Sequence, residues 1–156
     1  MAKKCKYDDI DMLLNDLESD IEGTLTDEVL DVVKDIEIKH VEEDVFSVYR
    51  PKIYERRRTG GLDDPDNIIG EITEKMDMEI TNITPFDSGY GTYNKGDGLA
   101  ELVNDGDGLS GFYYDYPGEF LQPRPFLDNT EEEILKTEQL DNALQKGLVK
   151  RGYDVK

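Results

Sequence analysis

A single histidine and a single cysteine stand among 37 acidic residues in this chain of 156, and they bound the chemistry open to it. Ser-His-Asp or Cys-His catalysis needs an imidazole beside a nucleophile. His40 lies inside a long helical pattern with no nucleophile signature around it, so it reads as a helix-surface or partly buried side chain. Cys5 sits among Lys3, Lys4 and Lys6, which favour a thiolate; near a chain terminus it reads as a plain surface thiol. Carboxylate pairs are so numerous that none stands out as an acid–base couple. Asn104-Asp105-Gly106-Asp107-Gly108 carries a faint likeness to a calcium loop. An EF-hand needs ligands at alternate positions, a glycine at the sixth and a glutamate at the twelfth. Leu109 takes the next alternate slot, and Asp115 and Glu119 fall off the register, so the stretch reads as a tight acidic turn. No G-x-x-x-x-G-K-[ST] occurs, and Gly89, Gly91, Gly96 and Gly98 lack the flanking strand and helix of a dinucleotide fingerprint. The expectation is a non-enzymatic protein with no cofactor and no metal.

Charge narrows the partners. The chain carries 18 basic residues and a formal charge of −19. That disfavours a nucleic-acid backbone, whose binding gains from releasing counterions to cationic side chains, and it disfavours anionic membranes. It permits solubility, docking on a basic partner, or lining a conduit for another polyanion. The charge is uneven. Residues 50–58 hold Arg50, Lys52, Arg56, Arg57 and Arg58 against one acid, Glu55. Ion pairs with this chain's own acids, or with an acidic neighbouring subunit, account for such an island better than an anion site does. Arginine suits interfaces because its planar fork pairs carboxylates in two places. One cysteine allows no intramolecular disulfide. Met1-Ala2-Lys3-Lys4-Cys5-Lys6 is not followed by the apolar run of a signal peptide, and no stretch approaches the length of a membrane span. A cytoplasmic origin is the default expectation.

The elements that position these residues follow from periodicity. Ile10, Leu13, Leu14, Leu17 and Ile21 form one apolar stripe, which predicts a short acidic helix over 7–22 that Gly23 interrupts. Thr26 before Asp27 and Glu28 reads as an N-cap. A long helix follows, with Leu30, Val33, Ile36 or Glu37, Val41, Val45 and Val48 in phase, and Pro51 ends it. The period then changes to two. Ile68, Gly70 and Ile72, then Met76, Met78 and Ile80, predict two antiparallel strands joined near Glu74-Lys75. Residues 85–98 read as a Gly/Tyr-rich loop, 99–103 as one helical turn, and 112–116 as an aromatic extended segment. A final helix starts at 131, capped by Asn129 or Thr130, and Gly152 lies past its end. The class is α+β: a small antiparallel sheet packed against a long helix of the N-terminal half and a C-terminal helix. The organisation is an acidic helical extension over 1–22, one domain over 23–150 and a frayed tail over 151–156.

The ordered landmarks carry a resemblance. Val48-Tyr49-Arg50-Pro51 and Tyr54-Glu55-Arg56-Arg57-Arg58 precede Gly60-Gly61-Leu62. A hairpin opens at Asn67-Ile68; Leu99-Ala100-Glu101-Leu102-Val103-Asn104-Asp105-Gly106 comes next, then Arg124-Pro125-Phe126-Leu127 leading into the last helix. From about residue 24 to residue 150 this order resembles the head–tail joining proteins of tailed bacteriophages, also called neck, tail-completion or minor tail-component proteins. The acidic helix before residue 23 and the length of the 85–98 stretch depart from the family's pattern. The resemblance implies a virion structural protein, made in the host cytoplasm and assembled as a six- or twelve-fold homo-oligomeric ring. It would sit between a portal or adaptor and a tail-tube or tail-terminator protein, with genomic DNA passing but not specifically bound and no membrane partner. Under that reading Tyr54, Arg56, Arg57, Arg58, Tyr90, Tyr93, Arg124 and Phe126 are the subunit-interface candidates, with Phe126 packed beneath the last helix. Gly60, Gly61, Leu62, Asn104 and Gly106 shape the turns. The rival reading, from charge alone, is an acidic DNA-mimic inhibitor that binds a basic host or rival protein; the basic island argues against it.

Overall fold

The computed structural model describes residues 9–48, 59–85, 98–106 and 122–155. The elements are α1 (Ile10–Thr24), a π-helical segment (Leu25–Val29), α2 (Leu30–His40), a second π segment (Val41–Phe46), a 3-10 turn (Pro65–Asn67), β1 (Ile68–Glu74), β2 (Asp77–Asn82), α3 (Leu99–Asp105), α4 (Phe126–Lys136) and α5 (Gln139–Arg151). With its two-stranded antiparallel sheet the chain is α+β. The aromatic stretch 112–116 and the 50–58 island lie outside the described residues.

Gly23 does not interrupt the first helix, which runs on to Thr24 and then through π and α segments to Phe46. The reason is a change of register. Thr24 and Val29 are both buried, five residues apart. In a straight α-helix that spacing turns two side chains to different faces; a π turn holds them on one. Thr26 is therefore not an N-cap: its hydroxyl donates to the Glu22 and Gly23 carbonyls within the helix, at 3.2 and 3.3 Å. The cap of α1 is Asp9, whose carboxylate accepts from the Asp11 N–H at 3.1 Å.

The hairpin keeps the predicted parity. Met78, Ile80 and Asn82 share the inner face of β2, while Asp77, Glu79 and Thr81 are exposed. Its turn falls one residue later than expected, at Lys75-Met76, with Met76 in the left-handed region at φ 60. Helix α3 runs past the expected turn over 99–103 to Asp105, and Gly106 ends it in the left-handed region at φ 70. The expected single C-terminal helix is two helices. The first opens at Phe126, so Asn129 and Thr130 lie within it rather than at its cap, and it ends before Thr137-Glu138.

Two compact units result. One comprises the described parts of Met1–Val33, Gly70–Ile80 and Ile134–Lys156, the other those of Lys34–Ile69 and Thr81–Glu133. In the first, Val29, Val33 and Ala143 are the buried apolar residues. Helix α5 comes close to α1 through Gly147, where a Cβ would overlap the Thr24 Cγ2 methyl. Gly70 lets β1 lie against Leu30, whose Cδ1 is 3.1 Å from where a Cβ would stand. The second unit has the larger core: Val41, Val45, Leu62, Ala100 and Phe126, flanked by Phe46, Leu99, Val103 and Leu127. Full burial of a side chain the size of Phe126 is worth about 2–3 kcal/mol against leaving it in water.

Candidate functional site

The second unit gathers the predicted turn residues around one core. Gly60, at φ 70, donates its N–H to Asp64 Oδ2 at 2.5 Å, which holds that carboxyl below the usual range, helped by the Asp66 N–H. The Gly61 carbonyl accepts from Asn67 Nδ2 at 2.9 Å and from the Thr84 hydroxyl at 3.0 Å. The bend delivers Leu62 into the core beside Phe126. On the opposite approach, the Arg124 N–H donates to the Val103 and Asn104 carbonyls, both at 3.1 Å. The Asn104 side chain accepts from the Leu127 N–H at 3.0 Å and donates to Asp105 Oδ1 at 2.8 Å.

That last arrangement explains where α4 starts. The residue before Phe126 is Pro125, which has no side-chain oxygen to satisfy the free N–H groups of a helix start. Asn104, at the end of α3, supplies the acceptor from elsewhere in the chain. Phe126 is wholly buried beneath the helix it opens. Arg124 is half-buried. Tyr54, Arg56, Arg57, Arg58, Tyr90 and Tyr93 lie outside the described residues.

A polar lattice that periodicity does not announce runs beside this core. Asn82, in the buried phase of β2, donates through Nδ2 to Glu37 Oε1 at 2.7 Å and to the Leu62 carbonyl at 3.1 Å. Its Oδ1 accepts from the Thr84 N–H at 3.0 Å and faces the Thr84 hydroxyl at 2.5 Å. Glu37 is only 3% exposed. Burial pushes its carboxyl up from the ordinary value, and the Asn82 amide offsets part of that. The one available signal was Glu37 competing with Ile36 for the same position in the apolar stripe.

His40 joins α2 to α4. Its Nδ1 lies 3.1 Å from Asp44 Oδ2 and its Nε2 3.0 Å from Glu133 Oε2. Lys39 Nζ donates to that same Glu133 oxygen at 2.6 Å, and Asn129 Nδ2 donates to Asp44 Oδ2 at 2.9 Å. Each ring nitrogen faces a carboxylate oxygen, so neither is turned to a nucleophile. Among the described residues no three His, Cys, Asp or Glu side chains are grouped to hold a metal ion. No helix among them is long and apolar enough to cross a membrane.

The first unit has its own charged cluster. Arg151 donates through Nη1 to Glu28 Oε2 and through Nη2 to Asp27 Oδ2, both at 2.8 Å. Lys150 Nζ reaches Glu28 Oε1 at 2.7 Å. These hydrogen bonds, from Lys150 first and then Arg151, pull the Glu28 carboxyl down to about 2. The sequence reading set residues 151–156 aside as a frayed tail and so passed over this pairing.

The arrangement is a scaffold: buried amides, hydroxyls and ion pairs that lock turns and helix ends. Compared with known proteins, residues 9–150 match the family model of YomN, a Bacillus phage-derived family. The chain belongs to the YomN family and is phage-related. No curated protein and no solved structure matches it.

Proposed function

We propose that this chain is a structural protein of the phage particle, without catalytic chemistry of its own, that joins head to tail as a neck or tail-completion ring. One observation carries the reading. Leu62, Ala100 and Phe126, from the segments that carry the resemblance in sequence, share one core, and the Arg124 and Leu127 N–H groups bond to Val103 and Asn104. A likeness borne by packed segments is a likeness of a folded unit rather than of scattered short motifs. Membership of a phage-derived family supports the same reading.

In such a ring, copies meet head-to-tail through interfaces that close. The basic island at Arg56, Arg57 and Arg58 meets an acidic neighbouring face. The remaining negative surface lets DNA pass without adhering, because it offers few cations to displace the counterions of DNA. The ring's partners are a portal or adaptor on one side and a tail-tube or terminator protein on the other.

Disrupting the gene in a phage that encodes it should leave filled heads and separate tails in electron micrographs. Mass spectrometry should find the protein in mature particles. Normal infectious particles formed without it overturn the reading. Reversing Arg56, Arg57 and Arg58 to Glu should block incorporation while leaving the circular dichroism of the isolated chain unchanged; undiminished incorporation refutes the interface role. A chain absent from particles that blocks a DNA-binding enzyme one-to-one belongs instead to the charge-mimic class.

A further inference from the structure

The first unit exposes more large apolar side chains than it buries. Among the described residues it buries Val29, Val33 and Ala143, and it exposes Ile10, Met12, Leu13, Leu14, Met76, Leu135 and Val149. In the second unit the balance is reversed, with Val48 and Ile83 exposed against a core several times larger. Isolated exposed apolar residues are ordinary, but a contiguous group marks a contact surface.

Four of the seven lie on α1, and three of them, Ile10, Leu13 and Leu14, are contiguous on one face. At roughly 100° per residue, Ile10, Leu13, Leu14, Leu17 and Ile21 fall on one stripe. Leu17 and Ile21 are half-buried within the unit. Ile10 and Leu14, further toward the N-terminus, are 69% and 49% exposed. The stripe therefore begins as an internal contact and continues as an uncovered one.

Its borders are acidic on both sides. Asp11 and Glu18 flank one edge, Asp9 and Asp16 the other. Lys75 pairs with Glu18 at 2.8 Å. Asp11 and Asp16 have no cationic partner among the described residues, and no Lys, Arg or His occurs between Lys6 and Lys34. Two acidic rails around an apolar stripe repel a second copy of the same face and attract an opposite one.

We infer that the leading turns of α1 dock a basic amphipathic segment of another protein: apolar side chains on the Ile10–Leu13–Leu14 stripe, lysines or arginines against the flanking carboxylates. This is the helix-on-helix mode in which i, i+3 and i+4 side chains supply the anchors, and the rails set orientation and on-rate. The inference stands apart from the head–tail reading.

The probe is a synthetic amphipathic helix with leucine on one face and lysine on the other, titrated against the full chain by fluorescence anisotropy. Ile10→Ser with Leu14→Ser should weaken its binding about tenfold or more, with an unchanged melting temperature because both side chains are exposed. Equal binding by both chains overturns the inference, since charge alone then holds the peptide. A second variant, Asp11→Lys with Asp16→Lys, keeps the stripe and inverts its borders. It should shift preference toward a leucine–glutamate helix; no shift also overturns it. So does sedimentation of the wild-type chain as an oligomer that the Ile10→Ser/Leu14→Ser variant dissolves, because a second copy is then the occupant.

Discussion

Asn82 donates its side-chain amide to the Glu37 carboxylate at 2.7 Å, and both residues are buried. This joins the end of β2 to the middle of α2 inside the second unit. It places a carboxyl where, among the described residues, one neutral donor faces it, so desolvation outweighs the hydrogen bond and the folded group titrates above its ordinary 4.5. Between the two values the native state holds a proton that the unfolded chain has released. Stability therefore falls as pH rises through that window and stays lower above it. Glu37→Gln removes the charge and keeps an acceptor for Asn82. It should stabilise the protein by about 1 kcal/mol near neutral pH and by little in acid below 4.5. Urea unfolding at the two conditions tests this; an offset that does not change with pH refutes it.

Glu28 has the opposite sign. Lys150 and Arg151 hold its carboxyl at about 2, so its contribution is present above the ordinary 4.5 and is lost as pH falls from there toward 2. Arg151 is 19% exposed and Glu28 16%, which leaves solvent to screen part of the interaction. Glu28→Gln should cost about 1 kcal/mol near neutral pH and nothing once Glu28 is protonated. Paired thermal melts of the two proteins should converge in strong acid; curves that stay apart there point to lost packing instead of lost charge.

Gly147 sets two helix preferences against each other. In an exposed helix, Gly→Ala gains about 1 kcal/mol. Here the new Cβ would overlap Thr24 Cγ2 and stand 2.7 Å from Glu28 Oε2. Thr24 is fully buried, so it has no room to move aside. Overpacking costs about 1–3 kcal/mol, and disturbing Glu28 adds the loss of its ion pairs. Gly147→Ala should lower the urea midpoint. A raised midpoint would mean that α5 moves off α1 at little cost.

These residues also mark where sequence reading stops. The parity of β2 was legible because Met78 and Ile80 alternate with charged or polar neighbours. The stop of α3 was legible only nearly: Asn104 and Asp105 read as turn residues, but the helix takes them in and ends at Gly106, in the left-handed conformation a glycine tolerates. The π turn after Thr24 was not, because a five-residue spacing read at a period of 3.6 looks like a helix break, and Gly23 stands where a break would be drawn. Thr137-Glu138 carries neither proline nor glycine, so the division of α4 from α5 left no mark. Glu37 and Asn82 each fall at an apolar phase of their element, and only the pair explains either. The backbone bonds of Arg124 to Val103 and Asn104, and the packing of Phe126 with Val41 and Val45, left no local mark because the partners are distant in sequence.

The start of α4 gives the sharpest single test, because its cap comes from Asn104, 23 residues before the Leu127 N–H it accepts from. Asn104→Ala removes that acceptor and the hydrogen bond to Asp105 at once. The part-buried Leu127 amide then has no side-chain oxygen to replace it, since Pro125 and Phe126 supply none. Losing an N-cap costs about 1 kcal/mol, and leaving the amide unsatisfied in a part-buried site raises that toward about 2 kcal/mol. Asn104→Asp keeps an oxygen for Leu127 but sets a second carboxylate where the amide met Asp105 Oδ1 at 2.8 Å, in a site 6% exposed. It should recover only part of the loss. Amide hydrogen exchange separates a local effect from a global one. Asn104→Ala should speed exchange at Leu127 far more than in α5, whereas a uniform rise throughout the chain would show that Asn104 acts through overall stability and not as the cap of α4.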